Sequence, residues 1–410
     1  MDLEQAKCDI VAAVDAMAEE LLAVSHGIHS EPELGFEEFK AQARLCASLD
    51  RHGLKPQRGA FDVKTAYVSE FGGAGPRVAI LSEYDALPGI GHACGHNVIA
   101  SAGLGAALAL SKLKSLPGSV RYLGTPAEEG GGGKEYMARA GAFEKVDAAM
   151  MVHPAHLEVA TMPCLAVAHV DAVFHGKAAH ASAMPHMGLN ALDAVVLSYQ
   201  AIGALRQHIK QSERLHGIIT KGGDAANIVP HLASCTFYVR AADAHDLAPL
   251  KRRVQACFEA AALATGTRLE SKWGEIDYID MKTNWPLANA YKANAESLGR
   301  LLTPLEQLPP GMAGSTDMGN VSHRVPSIHP LVKIAPEGVI IHNPEFARFA
   351  ALPEADKAVL DGAKMLALTA LDMMTSSSLA AAAANDFAAT KDESARALDH
   401  VFHGVGCGCH

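Results

Sequence analysis

The sequence predicts an α/β fold: a mixed, largely parallel sheet between layers of helix, interrupted by a smaller βαββαβ unit. Two features carry that expectation. Short apolar runs, Arg77–Leu81, Val120–Gly124 and Ala148–Val152, alternate with helical stretches near 97–114 and 134–141, the rhythm of strands joined by helical crossovers. From about residue 166 the order becomes strand (167–174), helix (189–209), strand (216–220), strand (234–239), helix (247–264) and strand (268–273), which is that of a ferredoxin-like unit.

Ahead of the first apolar run, residues 3–24 are apolar at helical spacing, Pro32 and Gly35 punctuate a loop, and a further helix is expected near 37–52. After the inserted unit, helices and strands resume up to a helix near 353–374. From Ser376 the composition turns to Ser, Ala and Asp, with a weak helix near 392–402. The expected organisation is therefore a first catalytic part over 1–165, the inserted domain over 166–279, a second catalytic part over 280–376 and a tail over 377–410. The stretch Val98–Leu113 is strongly apolar but shorter than the roughly 18–20 residues of a membrane span, so it is expected to be a buried helix. Cys407-Gly-Cys-His410 is read as a loose terminus rather than a metal site.

The 410 residues suit two or three compact units of about 100–200 residues. With 49% hydrophobic and 20% charged residues the chain reads as globular, and a net charge of −10 offers no footprint for nucleic acid or an anionic membrane. The N-terminus, Met1-Asp-Leu-Glu-Gln-Ala-Lys7, lacks the apolar core of a secretory signal, and the eight cysteines show no framework spacing. A reducing, cytoplasmic setting is the expectation.

Each predicted strand ends in a polar cluster: Ser82-Glu-Tyr-Asp85, Ala127-Glu-Glu129 and His153. In open α/β sheets ligands bind beyond the carboxyl ends of the strands, so these distant clusters are expected on one rim. Cys94 and His96, two apart around Gly95, can aim a thiolate and an imidazole at one place; they equally fit a buried cysteine beside a helix cap. Glu128 and Glu129 would point to opposite faces of a regular strand, so both serve one site only if the backbone bends there, which Gly130–Gly133 permits. Alone, they also read as a solvated acidic pair. His153 and His342 each follow apolar residues and fit either a ligand or a hydrogen-bonded core histidine. Together these residues offer what two metal ions about 3.5–4 Å apart need: donors on each flank, a shared ligand and a neighbouring base.

The ordered motifs His29-Ser-Glu-Pro-Glu-Leu-Gly-Phe-Glu-Glu38, Glu83-Tyr-Asp-Ala-Leu-Pro88, His92-Ala-Cys-Gly-His-Asn97, Thr125-Pro-Ala-Glu-Glu-Gly130, Gly176-Lys-Ala-Ala-His-Ala181, Gly222-Gly-Asp-Ala-Ala-Asn227, Gly314-Ser-Thr-Asp317 and His342-Asn-Pro344 resemble the di-metal aminoacylase and carboxypeptidase G family. Within it they are most like the subgroup of β-alanyl-lysine dipeptidase and p-aminobenzoyl-glutamate hydrolase, over residues 20–374. The resemblance implies a zinc-exopeptidase-like (phosphorylase/hydrolase-like) mixed sheet and a ferredoxin-like lid that mediates homodimerisation. It implies Cys94, His96, Glu129, His153 and His342 as ligands of two divalent ions, with Glu128 as general base and then acid. It further implies that His180 reaches the oxyanion and that Asn227, Arg240 and Ser315 contact substrate. Two departures leave questions open. Asn97 stands where many relatives carry Asp, and Ser82-Glu-Tyr-Asp85 replaces a His-x-Asp, so either Glu83 or Asp85 can orient the ligands. Either Cys94 or His96 can bridge, and Zn, Mn and Co all suit the donors.

The expected activity is hydrolysis of the amide bond of a dipeptide or N-acyl amino acid by metal-activated water. Hydrolytic deamination or decarbamoylation of a small compound at the same centre is the alternative, and a silent ligand-binding relative a more distant one. No nucleic-acid or membrane partner is expected.

Overall fold

The computed structural model describes residues 2–161, 163–308 and 313–402. They fall into two compact units, one within Met1–Pro163 and Met281–Ser394, the other within Cys164–Asp280 and Ala395–His410.

The sheet of the first unit runs, in spatial order, Gln57–Arg58, Tyr67–Gly72, Ser119–Gly124, Arg77–Ser82, Ala148–Met150, Ser327–Ile328. The last four strands are mutually parallel, while Tyr67–Gly72 pairs antiparallel with Ser119–Gly124. A separate parallel pair joins His153–Ala155 to Leu331–Lys333. The sheet is thus mixed, and the carboxyl ends of its parallel strands share one rim.

Small side chains let a helix lie directly on this sheet. His96–Ser111 is buried throughout except at its last residue. A Cβ on Gly103 would sit 2.3 Å from Ser82 Oγ and 2.9 Å from the Leu81 carbonyl oxygen, and one on Gly105 would sit 2.8 Å from both Ala363 and Leu21. The Ala and Gly content that made this stretch look unusual is the condition for packing it between the sheet and the helix Pro353–Thr375. Asn97 ties down the start of the helix: its amide donates to Ser25 Oγ at 2.9 Å and to the Ala350 carbonyl at 2.8 Å. A carboxylate could make neither donation, which accounts physically for the departure from Asp at this position. Among the described residues no single helix is long and apolar enough to cross a membrane.

Two stretches differ from expectation. Residues 3–24 belong to two helices, Leu3–Ala16 and Ala18–Ser30, broken at Met17. Residues 377–402 hold two helices rather than one weak one. Ser376 caps Ser377–Ala388 by accepting from Leu379 N at 3.1 Å, and the alanine run supplies high helix propensity. Asn284 Nδ2 donates to the Ala383 carbonyl of this helix at 2.9 Å. The second is Lys391–Phe402. Cys407-Gly-Cys-His410 lies outside the described residues.

The second unit holds a four-stranded antiparallel sheet ordered Arg268–Trp273, Ala166–His175, Leu232–Ala241, Arg214–Lys221, with the helices Ala191–Leu205 and Ala244–Thr265. Chain order fourth, first, third, second is that of the βαββαβ unit. Alternate residues of Leu232–Ala241 are buried, among them Cys235, Phe237 and Val239, and they pack with Phe174 and Phe258 in one core.

Replacing Gly103 by Ala is expected to lower unfolding free energy by about 1–3 kcal/mol, the usual cost of overpacking a filled core. Denaturant titration checks this, and an unchanged midpoint would show that helix and strand have slack.

Candidate metal centre

Three backbone devices deliver the polar residues. Gly95, at φ 75°, turns the chain between Cys94 and His96 as the buried helix begins. Ala127 adopts φ 58°, a conformation rare outside Gly, and its N–H donates to Glu38 Oε1 at 2.8 Å. That bend, just past the strand Ser119–Gly124, brings Glu128 and Glu129 to the same place. His342 also has positive φ, at 63°, with its N–H bonded to the Ala93 carbonyl at 2.8 Å, beside Cys94. Strained non-glycine backbone at both positions is the kind of cost that sites impose on a fold.

The donors fall into interlocking sets, each with one ligand atom per residue within 4.8 Å of the others: Cys94, His96 and His153; Cys94, Glu129 and His342; His96, Glu128 and Glu129. Cys94 Sγ lies 3.4 Å from His153 Nε2, and His342 Nε2 lies 3.5 Å from Glu129 Oε2. Two ligands of one tetrahedral ion, at bond lengths of about 2.0–2.3 Å, lie about 3.3–3.7 Å apart, so these spacings fit. The buried Nε2 of His96 and Oε1 of Glu129 have no hydrogen-bond partner, and they are 3.8 Å from each other. Orphaned buried donors facing one another are what a dication would satisfy.

Asp85 organises two of these residues. Its Oδ1 meets His96 Nδ1 at 3.1 Å, leaving Nε2 to face the cluster, and its Oδ2 accepts the Glu129 N–H at 2.9 Å. His153 is oriented likewise, with Nδ1 bonded to the Pro154 carbonyl at 2.8 Å. Glu83 lies on the other side, its Oε2 at 3.5 Å from His96 Nε2 and its Oε1 bonded to the Lys134 ammonium.

Electrostatics point to missing positive charge. Burial, followed by the carboxylates of Glu83, Glu129 and Asp317, pushes Glu128 well above the ordinary carboxyl range. Burial and then Glu129 push the Cys94 thiol well above its usual value. Burial opposes charge on His96, but Asp85 outweighs it and holds that imidazole high. His153, buried, is pulled down to about 4 and stays neutral. A bound dication reverses this logic, favouring thiolate and carboxylate.

Of the sequence-predicted residues, Cys94, His96, Glu128, Glu129, His153, His342, Glu83 and Asp85 converge. Ser315 is partly buried two residues before Asp317. Within the second unit His180 and Asn227 are neighbours, with Ala181 N–H bonded to the Asn227 carbonyl at 3.0 Å, and both are exposed. Arg240 is at the far end of the strand Leu232–Ala241, eight residues or about 27 Å along it from Leu232. Its Nε donates to His216 Nε2 at 3.3 Å. Sequence reading missed Lys134, Asp317 and His329. His329 follows the strand Ser327–Ile328 on the same rim, its ring 5.5 Å from that of His153. The available signal was position: His329 follows a strand end, Lys134 follows a glycine run, and Asp317 closes the motif Gly314-Ser-Thr-Asp317.

A sequence model of peptidase family M20/M25/M40 matches residues 79–372. The chain belongs to this family. The Xaa-Arg dipeptidase of Mus musculus is 40% identical to this M20 chain over 391 residues, 91% of this chain and 90% of the relative. One of the p-aminobenzoyl-glutamate hydrolase chains of Escherichia coli (strain K12) is 34% identical over 295 residues, 66% of this chain and 61% of the relative. Among solved structures, a dinuclear metal-binding peptidase of family M20 from Bacillus subtilis shares the fold at a TM-score of 0.66 and 22% identity, covering 88% of this chain and 99% of that one. The aminobenzoyl-glutamate utilization protein of Klebsiella pneumoniae does so at 0.68 and 19%, covering 91% and 98%. The M20 chain is a metal-dependent amide hydrolase, as its motifs implied.

Asp85→Asn, which keeps shape but weakens the hold on His96, is expected to lower metal affinity by about 10–100-fold. Competition against a chromophoric chelator measures it; wild-type affinity would remove Asp85 from the orienting role.

Proposed function

We propose that this chain hydrolyses the amide bond of a dipeptide or an N-acyl amino acid at a two-metal centre, which Cys94, His96, Glu129, His153 and His342 would hold, with Cys94 as the shared ligand. The observation that carries this is the pair of donor sets that share Cys94, one with His96 and His153 and the other with Glu129 and His342, alongside a set that joins His96 to Glu128 and Glu129. Zn, Mn and Co all suit thiolate, imidazole and carboxylate donors. When bound, the ions supply an acidified water and polarise the scissile carbonyl.

Glu128 is the proton carrier of this scheme. Its carboxyl is buried beside the donor sets, and bound dications would favour its carboxylate form, ready to take a proton from the attacking water and return it to the departing amine. His180 is suited to the oxyanion. Its Nδ1 accepts the Ala183 N–H at 3.2 Å, so Nε2 carries the hydrogen and is free to donate. Asn227, Arg240 and Ser315 complete the proposed contacts to substrate, Arg240 through the two-pronged geometry that suits a carboxylate. One copy of the second unit holds Asn227 and Arg240 too far apart to grip the same small group.

We assign the second unit a further role as a lid and homodimer interface. Its edge strand Arg214–Lys221 leaves Ile218 64% and Ile219 45% exposed, an unprotected apolar edge of the sort that pairs with another chain. A cytoplasmic location is supported by Cys8, Cys46, Cys235 and Cys257 being free thiols.

Glu128→Gln is expected to cut kcat by about 100- to 10,000-fold while metal content stays at the wild-type level. Turnover at the wild-type rate would end the proposal. The substrate screen spans β-alanyl and α-dipeptides, N-acyl amino acids and p-aminobenzoyl-glutamate, with amino-acid and ammonia release followed together. Ammonia as the main product would move the assignment to deamination. Ile218→Asp is expected to halve the mass in sedimentation; an unchanged mass would place the interface elsewhere.

A further inference from the structure

Beside the donor sets lies a fourth group, of which the hydrolytic scheme uses only Glu128. Glu83, Glu128 and Asp317, all buried, each offer an oxygen within 4.8 Å of the others, the same spacing that marks the metal-binding sets. Here a cation is already in place. The Lys134 ammonium, fully buried, is hydrogen-bonded to both Glu83 and Asp317, and the Lys134 backbone N–H donates to Asp317 Oδ2 at 3.0 Å.

The local backbone is built to bring it there. Gly132 takes φ 69°, and Gly133 lies so close to the preceding turn that a Cβ would fall 1.8 Å from the Pro126 carbonyl oxygen. The start of the helix Gly133–Arg139, which carries Lys134 as its second residue, is therefore pressed against the residues that lead into Glu128. Buried carboxylates at this spacing and without a counter-charge would draw a dication from solution. An ammonium differs in two ways: it donates hydrogen bonds without coordinating, and it cannot exchange.

We propose that Lys134 is a positioning residue that serves as a built-in third cation, closing the Glu83–Glu128–Asp317 group to metal and so keeping Glu128 available for proton transfer. This rests on the two-metal reading above. It makes Glu83 and Asp317 holders of the ammonium rather than metal ligands, and it explains why the carboxylate-rich centre stops at two ions.

The test counts metal as well as turnover. Purified wild type, Lys134→Met, Lys134→Arg and the double variant Lys134→Met/Asp317→Asn are equilibrated with Mn(II), dialysed and assayed by elemental analysis. Wild type and Lys134→Arg are expected to hold two equivalents, with kcat in Lys134→Arg within about tenfold of wild type. Lys134→Met is expected to hold three equivalents and to lose kcat by about 100-fold at a KM within about threefold, because the added ion captures Glu128. The double variant, having lost one charge of each sign, is expected to return to two equivalents. Lys134→Met with two equivalents and wild-type kcat overturns this inference and leaves the two-metal reading intact, whereas wild type without bound metal sinks that reading instead. If Lys134→Met does not fold, the double variant decides: two equivalents with kcat within about tenfold of wild type supports the role, whereas two equivalents with kcat still down about 100-fold, or three equivalents, overturns it.

Discussion

Buried negative charge at the carboxyl rim of the sheet is the constraint on which the rest of the first unit depends. Glu83, Asp85, Glu128 and Asp317 have almost no solvent, and Glu129 little more. Taken out of water, such groups persist only if paired, hydrogen-bonded or bound to cations. The fold supplies part of the answer internally, through Lys134, the Asp85–His96 pair and the backbone N–H groups aimed at Asp85 and Glu38. The remainder falls to ions from solution. A raised Glu128, a raised Cys94 thiol and an orphaned His96 Nε2 are expressions of that one deficit.

The architecture around the rim follows from the need to bring short side chains together without flexibility. A helix of small residues can approach the strands closely enough for Gly95 to sit against Pro154, where a Cβ would be 2.6 Å from the proline ring. Ala127 and His342 accept left-handed backbone for the same reason: each carries a donor around a corner that a relaxed strand or loop would not turn. Rigid packing on one side and strained turns on the other fix the donors to within the few tenths of an ångström that coordination requires.

Much of this was legible in the chain. Apolar runs of strand length located the rim, and the polar residue after each run located Glu83, Glu128, Glu129 and His153, because period and burial are properties of neighbouring residues. The inserted unit was read from its order of strands and helices, and the observed antiparallel sheet keeps that order. What escaped were partners separated by long stretches of chain. Lys134 and Asp317 are 183 positions apart, and although a glycine run and a motif flank them, nothing local shows that they meet. His329 stands after a strand of two residues, too short to register as a periodic pattern. The helix Ser377–Ala388 was missed because its alanines carry propensity but no amphipathic stripe.

The sequence by itself determined the fold class, the family and the candidate donors, since these depend on residue type, order and spacing along the chain. Only the tertiary structure shows how the groups at the centre meet. It puts Cys94 within reach of both His153 and Glu129, gives Asp85 the Nδ1 of His96 and pairs Glu83 with an ammonium. The physical reason is that a shared ligand or a counter-ion is defined by distances among groups that meet only after the strands have been brought side by side.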